Sequence, residues 1–352
     1  MKNKTLLSAL GCFALSSCVV SVSTHPLEDG SESRQLSAGF DAAAEAAKLV
    51  PDGSLYTTQA FDWRDDARMR SVPVRLYLPT VSAAGAAGPV PLVVFSHGLG
   101  GSRDGYKYLG RYFAANGYAS LHLQHIGSDR QVWFGNPFSL LGRMNDAAAD
   151  NEAIDRVRDM GFALDRLLAS NIAARIDRQR IVAAGHSYGA NTSMLASGAE
   201  VEREGRVLRM RDPRIKAAIL LSAPPFYGLT DTARILKSID IPTLHITATD
   251  DDIAIPGYRS GLRDRLEVYD LMGNGSRAPK TLAVFKGGSH SIFTDRMGSG
   301  GAELNPKIKA ATRELAVAFL NTLFGNDADA LPRWRAQNAS LVERFDQKFV
   351  TR

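Results

Sequence analysis

Arg180-Ile-Val-Ala-Ala184 followed at once by Gly185-His-Ser187-Tyr-Gly189 and the small-residue run Ala190 to Ser197 reads as a strand, a sharp turn and a helix. Glycine on both sides of Ser187 lets the backbone pass close to its neighbours. The turn between them would hold the serine in a strained conformation, with Oγ exposed at the C-terminal edge of a sheet. The GxSxG spacing occurs once, at that junction, in a chain with 31 Gly. Ser187 is therefore read as a nucleophile.

Outward from this stretch, strand and helix patterns alternate. Val72 to Leu78 and the continuous apolar run Pro89 to Phe95 read as strands, the second buried on both faces. A helix over Tyr106 to Asn116, a strand over Tyr118 to Gln124 and a long amphipathic helix over Asn151 to Ala174 lead to the Ser187 strand. Beyond it come a strand over Ile215 to Ser222, a helix near Asp231 to Ser238, strands over Thr243 to Ala248 and Thr281 to Phe285, and a helix from Pro306 to Phe324. The pattern predicts an α/β protein with a mostly parallel central sheet and helices on both faces. A single domain over 56–352 is expected, with a possible cap segment at 127–150. Leu331 to Arg352 reads as a C-terminal helix, and the charged stretch Glu200 to Arg214 as a solvated excursion.

Composition narrows the function classes. The 352 residues are 45% hydrophobic, which excludes a disordered or collagen-like chain, and 2 Cys exclude a disulfide scaffold. A net charge of +5 without a dense basic run gives no support for nucleic-acid binding. No cysteine and histidine spacing resembles a zinc motif, so no metal and no cofactor are expected.

At the N-terminus, Lys2 and Lys4 precede the apolar run Thr5 to Leu15, the layout of an export signal over 1–17. Leu15-Ser-Ser-Cys18 resembles the lipobox of bacterial lipoproteins. That resemblance implies cleavage before Cys18, lipidation of Cys18, and a membrane partner reached through the lipid anchor. Val19 rather than Asp follows, which implies the outer membrane if the host is Gram-negative. Residues 18–55 are read as a tether to an exported, membrane-anchored body.

A serine hydroxyl needs a base to take its proton and a carboxylate to orient that base. Strand Thr243 to Ala248 runs into Thr249-Asp250-Asp251-Asp252, and strand Thr281 to Phe285 into Lys286-Gly-Gly-Ser-His290. The order Ser, Asp, His matches the α/β hydrolase arrangement. Ser187, Asp251 and His290 form the expected triad, with Asp252 as the reserve acid and Asp250 third, because one register slip separates them.

Over about Val72 to Phe324 the chain resembles the α/β hydrolase superfamily. Phe95-Ser-His-Gly-Leu-Gly-Gly-Ser-Arg-Asp104, His125-Ile-Gly-Ser-Asp129 and Gly185-His-Ser-Tyr-Gly189 are similar to the dienelactone hydrolase group related to platelet-activating factor acetylhydrolases. Asp251-Asp-Ile-Ala254 and Gly287-Gly-Ser-His-Ser291 resemble segments of bacterial polyester hydrolases, a register that makes Asp251 the acid. Dienelactone hydrolases use a Cys nucleophile where this elbow has Ser187, so the group name does not imply a lactone substrate.

In this fold the loop His97-Gly-Leu99-Gly-Gly101 is expected to turn a backbone N–H toward the reacting carbonyl. Leu99 and Tyr188 are the expected oxyanion donors. His97 is expected to orient that loop, and with His125, Trp133 and Phe134 it is placed at the substrate pocket. His186 is read as structural or as a pocket wall, His122 and His245 as strand residues. Gln131 to Met144 carries apolar residues that either wall an acyl pocket or pack as a cap, and Ser222 to Tyr227 offers a further wall. The expected function is a serine carboxylester hydrolase acting through an acyl-enzyme on short-chain acyl esters. A lipase, polyester hydrolase or acyltransferase with the same triad, or a non-catalytic binding lipoprotein, are the alternatives.

Overall fold

Leu92 and Val94 face one side of the central sheet and Val93 and Phe95 the other; Ile181 and Ala183 part from Val182 and Ala184 in the same way. Strands covered on both faces read as unbroken apolar runs for this reason. The computed structural model describes residues 55–80, 88–255, 257–296 and 299–348.

Its strands are β1 (Tyr56–Asp65), β2 (Arg70–Pro79), β3 (Val90–Ser96), β4 (Ala119–Leu123), β5 (Ile176–His186), β6 (Glu200–Arg203), β7 (Arg206–Arg209), β8 (Ile215–Leu221), β9 (Thr243–Asp250), β10 (Ile253–Ile255), β11 (Tyr258–Ser260), β12 (Lys280–Ser289) and β13 (Val342–Lys348). Its helices are α1 (Lys107–Ala115), α2 (Leu140–Ala147), α3 (Asp150–Leu168), α4 (Tyr188–Ser197), α5 (Thr232–Leu236), α6 (Leu262–Leu271), α7 (Gly301–Phe324) and α8 (Ala330–Gln337).

The main sheet runs β1-β2-β4-β3-β5-β8-β9-β12-β13. Pairings from β4 to β12 are parallel, and β1, β2 and β13 add antiparallel edges. Helices α3 and α4 close one apolar layer through Val157, Met160, Leu164, Ala190 and Met194. On the opposite face α1 and α7 bury Leu109, Phe113, Leu315 and Phe319.

The ladder also levels the strand ends. Ser96 pairs with Gly185, His186 with Leu221, and Asp250 with Ser289. The loops leaving β3, β5, β9 and β12 therefore emerge at one edge, where a parallel sheet presents its crevice.

Two expectations change. The C-terminal segment is the short helix α8 followed by strand β13, because Val342 to Lys348 pairs antiparallel with β12 and lays Phe345 on Trp334, ring centroids 5.7 Å apart. Glu200 to Arg214 contains a hairpin, β6 and β7, turned by Glu204 and Gly205 in left-handed conformations. Strand β1 and helix α6 were not foreseen. The signal 1–17, Cys18 and the tether through residue 54 lie outside the described residues. Among the described residues no helix is long and apolar enough to cross a membrane.

Candidate active site

Ser187 directly follows β5 and caps α4 with φ 55° and ψ −119°, a region non-glycine residues rarely occupy. Close backbone approach enforces it. A Cβ on Gly185 would stand 2.2 Å from the Gly189 carbonyl oxygen, and one on Gly189 would stand 1.9 Å from that of Ser96. Neither backbone can yield, so the elbow needs glycine at both places.

The Ser187 hydroxyl donates to His290 Nε2 at 2.8 Å, and His290 Nδ1–H donates to Asp251 Oδ1 at 2.7 Å. Asp251 is fully buried, and its Oδ2 accepts from the Thr247 hydroxyl at 2.7 Å. Burial would raise its carboxyl; the His290 hydrogen bond and charge, with Arg265 3.5 Å away, outweigh that and hold it well below the usual carboxylate range. Asp250 and Asp252 are exposed, and the Thr249 hydroxyl donates to Asp250. Of the three adjacent carboxylates, the structure brings Asp251 to the histidine.

His186 does not point at Ser187's hydroxyl. One of its nitrogens faces the backbone carbonyl of His290 at 2.9 Å, and a carbonyl only accepts, so Nε2 carries the proton. Nδ1 then accepts from the Tyr106 hydroxyl at 2.8 Å, and that oxygen accepts from the Gly98 N–H at 3.3 Å. Burial, then the neighbouring His290, pushes His186 down to about 3, so it stays neutral in this role. Tyr106 is a feature no sequence signal marks.

The same reasoning fixes His97. Its Nε2 accepts from the His125 N–H at 3.1 Å, so Nδ1 holds the proton and donates to the Gly98 carbonyl at 2.7 Å. With that carbonyl also taken by the Gly101 N–H at 3.0 Å, the peptide plane turns the Leu99 N–H the opposite way. Among the described residues the Leu99 N–H has no hydrogen-bond partner. The Tyr188 N–H, first in α4, has no acceptor within its helix. Leu99 borders the same cavity as Ser187 and Tyr188.

Two pocket expectations are corrected for the histidines. His97 and His125 are fully buried beneath the loop rather than in the cavity wall, because their ring nitrogens are consumed by structure: His125 donates to Asp159 at 3.0 Å and accepts from the Ser96 hydroxyl at 3.1 Å. Arg156, fully buried, donates to the His97 carbonyl, to the Ser128 hydroxyl at 2.7 Å and to the Thr192 hydroxyl at 2.9 Å, with its guanidinium 4.3 Å over the Tyr188 ring. An arginine among the buried residues of a long helix, beside Glu152, Val157, Asp159 and Met160, was the available signal for it.

Trp133 lines the cavity and its indole N–H donates to the Gly100 carbonyl at 3.0 Å. Phe134 does not line it: the backbone turns after Trp133, leaving Phe134 63% exposed. The cap segment is thus divided, with Trp133, Leu141 and Met144 facing the cavity and Phe138 facing solvent. Pro224 to Tyr227 supply another wall.

A ferulic acid esterase from Streptomyces cinnamoneus is similar in structure, with a TM-score of 0.53 and 22% identity over 78% of this chain and 92% of that one. The fold is that of the α/β hydrolases. Residues 80–131, which span β3, the Leu99 loop, α1 and β4, match the family described as platelet-activating factor acetylhydrolase, isoform II. No curated protein matches the chain. On this hydrolase fold the Ser187 cavity has a volume of about 1020 Å³. Among the described residues no group of three His, Cys, Asp or Glu side chains is placed to hold a metal ion.

Proposed function

We propose that the chain is a serine carboxylester hydrolase working through an acyl-enzyme. The observation that carries this reading is the line Ser187 Oγ, His290, Asp251, with contacts of 2.8 and 2.7 Å. The acetylhydrolase match over 80–131 and the esterase of similar fold support ester chemistry.

Ser187 Oγ attacks the ester carbonyl carbon as its proton passes to His290 Nε2. The carbonyl oxygen takes up the negative charge facing the Leu99 and Tyr188 N–H groups, each donor worth about 3 kcal/mol in the transition state. As the C–O bond breaks, His290 returns the proton to the departing alcohol. Water then gives a proton to His290 and its oxygen to the acyl carbon, releasing the acid and restoring the Ser187 hydroxyl. Asp251 keeps His290 in the required tautomer and stabilises the imidazolium. Only side chains, backbone and water take part.

Short-chain acyl esters, implied by the acetylhydrolase resemblance, are the first assay substrates. The test is reaction with a serine-directed fluorophosphonate together with acetate-ester turnover. An adduct on Ser187, with turnover abolished in Ser187→Ala, is expected. No adduct and no turnover would favour a binding protein on a hydrolase scaffold. Export and anchoring through Cys18 are proposed on the 1–18 sequence; mass spectrometry of the N-terminal peptide from expressing bacteria tests them, an acylated Cys18 being expected.

A further inference from the structure

The wall of the Ser187 cavity that sequence reading assigned to solvent is the β6-β7 hairpin. Side chains two apart on a strand share a face. Val201 and Arg203 of β6 line the cavity, as do Leu208 and, just past β7, Met210, with Val201 directly opposite Leu208 in the pairing. The opposite face carries Glu202 and Arg209, both exposed. A hairpin rich in charge therefore turns the apolar side chains of Val201, Leu208 and Met210 inward, with Arg203 beside them.

Polar ties hold that face in place. Arg203 donates to Asp150 at the start of α3 at 2.9 Å and to the Tyr227 carbonyl at 2.7 Å, joining the hairpin to two other walls. Arg234 of α5 pairs with Glu202 at 2.9 Å from outside. Ile154 of α3 and Leu195 of α4 add to the apolar lining of the same cavity as Ser187. An acetyl group leaves most of about 1020 Å³ unfilled, whereas pockets of this size enclose ligands of drug-like bulk.

Resting on the esterase reading above, we infer that the β6-β7 hairpin is a substrate-selecting wall: the ester carries a bulky apolar group on one flank of its carbonyl, and that group lies against Val201, Leu208 and Met210. Each methylene buried there favours the substrate by roughly fourfold.

The test uses the full chain and two ester series followed by acid release: methyl esters from acetate to decanoate, and acetates of alcohols from methanol to decanol. In at least one series kcat/KM is expected to climb steeply with chain length. Leu208→Trp and Met210→Trp, which fill the chamber, are expected to lower the long-to-short ratio of kcat/KM in that series by roughly tenfold or more. Leu208→Ser, which removes apolar contact without bulk, should lower it in the same direction should a Trp variant fail to fold. Active sites are counted by fluorophosphonate labelling, so the ratio is read on folded enzyme.

Flat or falling profiles in both series, with Ser187 labelled and acetate esters turned over, would overturn the inference and leave the esterase reading standing. A rising profile whose ratio all three variants leave unchanged would overturn the assignment to the hairpin. Absence of both labelling and turnover would remove the esterase reading and this inference with it.

Discussion

His186 donates its Nε2–H to the backbone carbonyl of His290 at 2.9 Å, so the residue beside the nucleophile holds the loop that carries the base. Through Tyr106 the same imidazole reaches the Gly98 N–H, which joins the base loop to the loop before Leu99. Removing the hydroxyl in Tyr106→Phe leaves a buried Gly98 N–H and His186 Nδ1 without partners. Tyr106 acts through other residues, so the expected loss falls on kcat, about ten- to a hundredfold, with KM for a short ester nearly unchanged. A loss confined to thermal stability, with kcat intact, would show that the contact is only structural.

For the triad acid, Asp251→Asn is expected to lower kcat by about four orders of magnitude, because an amide in this position favours the wrong imidazole tautomer. Asp250→Asn and Asp252→Asn alter exposed groups and should stay within about twofold of the parent enzyme. Steady-state kinetics on one acetate ester compares all three.

Arg156 has no exposed surface and satisfies three acceptors around the Leu99 loop. Arg156→Met would leave the His97 carbonyl buried and unpaired, while the Ser128 and Thr192 hydroxyls keep their bonds to Glu152 and to the Tyr188 carbonyl, at a cost of roughly 1–3 kcal/mol in unfolding free energy. Urea denaturation measures that cost. Since the His97 carbonyl loses its donor, kcat should fall more than the residual folded fraction accounts for.

Acid sensitivity follows from buried neutral histidines. Burial, the largest cause in each, lowers His122 to about 4 and His186 and His245 to about 3, and holds His97 and His125 well below their ordinary value. Unfolded, these rings bind protons near pH 6.5. Below that pH the unfolded state therefore holds more protons, and stability falls as pH drops, by about 1.4 kcal/mol per pH unit for each histidine. The depressed Asp251 acts with the same sign at lower pH. Calorimetry from pH 7 to about pH 4.5 should show a Tm that falls steeply below about pH 6.5; a flat Tm over that range would contradict neutral burial.

The Ser187 elbow is legible in the chain because its constraint is local: two glycines, a strand before and a helix after. The triad partners are legible because each follows a strand that ends at the same sheet edge. The rank of Asp251 over its neighbours depends on which side chain turns inward, a matter of Thr247 and Arg265 contacts rather than of spacing. His97 and His125 were misplaced because a histidine at a strand end looks the same whether its nitrogens face a substrate or buried groups, here the Gly98 carbonyl for His97 and Asp159 for His125. The hairpin was missed for a different reason. Its inward apolar residues are Val201, Leu208 and Met210, too few for periodicity to stand out among Glu200, Glu202, Arg203, Glu204, Arg206 and Arg209.

That hairpin is its own two-stranded sheet, outside the ladder that levels Ser96, Gly185, Asp250 and Ser289. Chemistry and selectivity are therefore built on separate hydrogen-bonded frameworks. Exchanging Glu200 to Met210 for a longer or shorter loop can retune which esters enter while the spacing of Ser187, His290 and Asp251 is left alone, so the segment is a natural place for grafting new specificities.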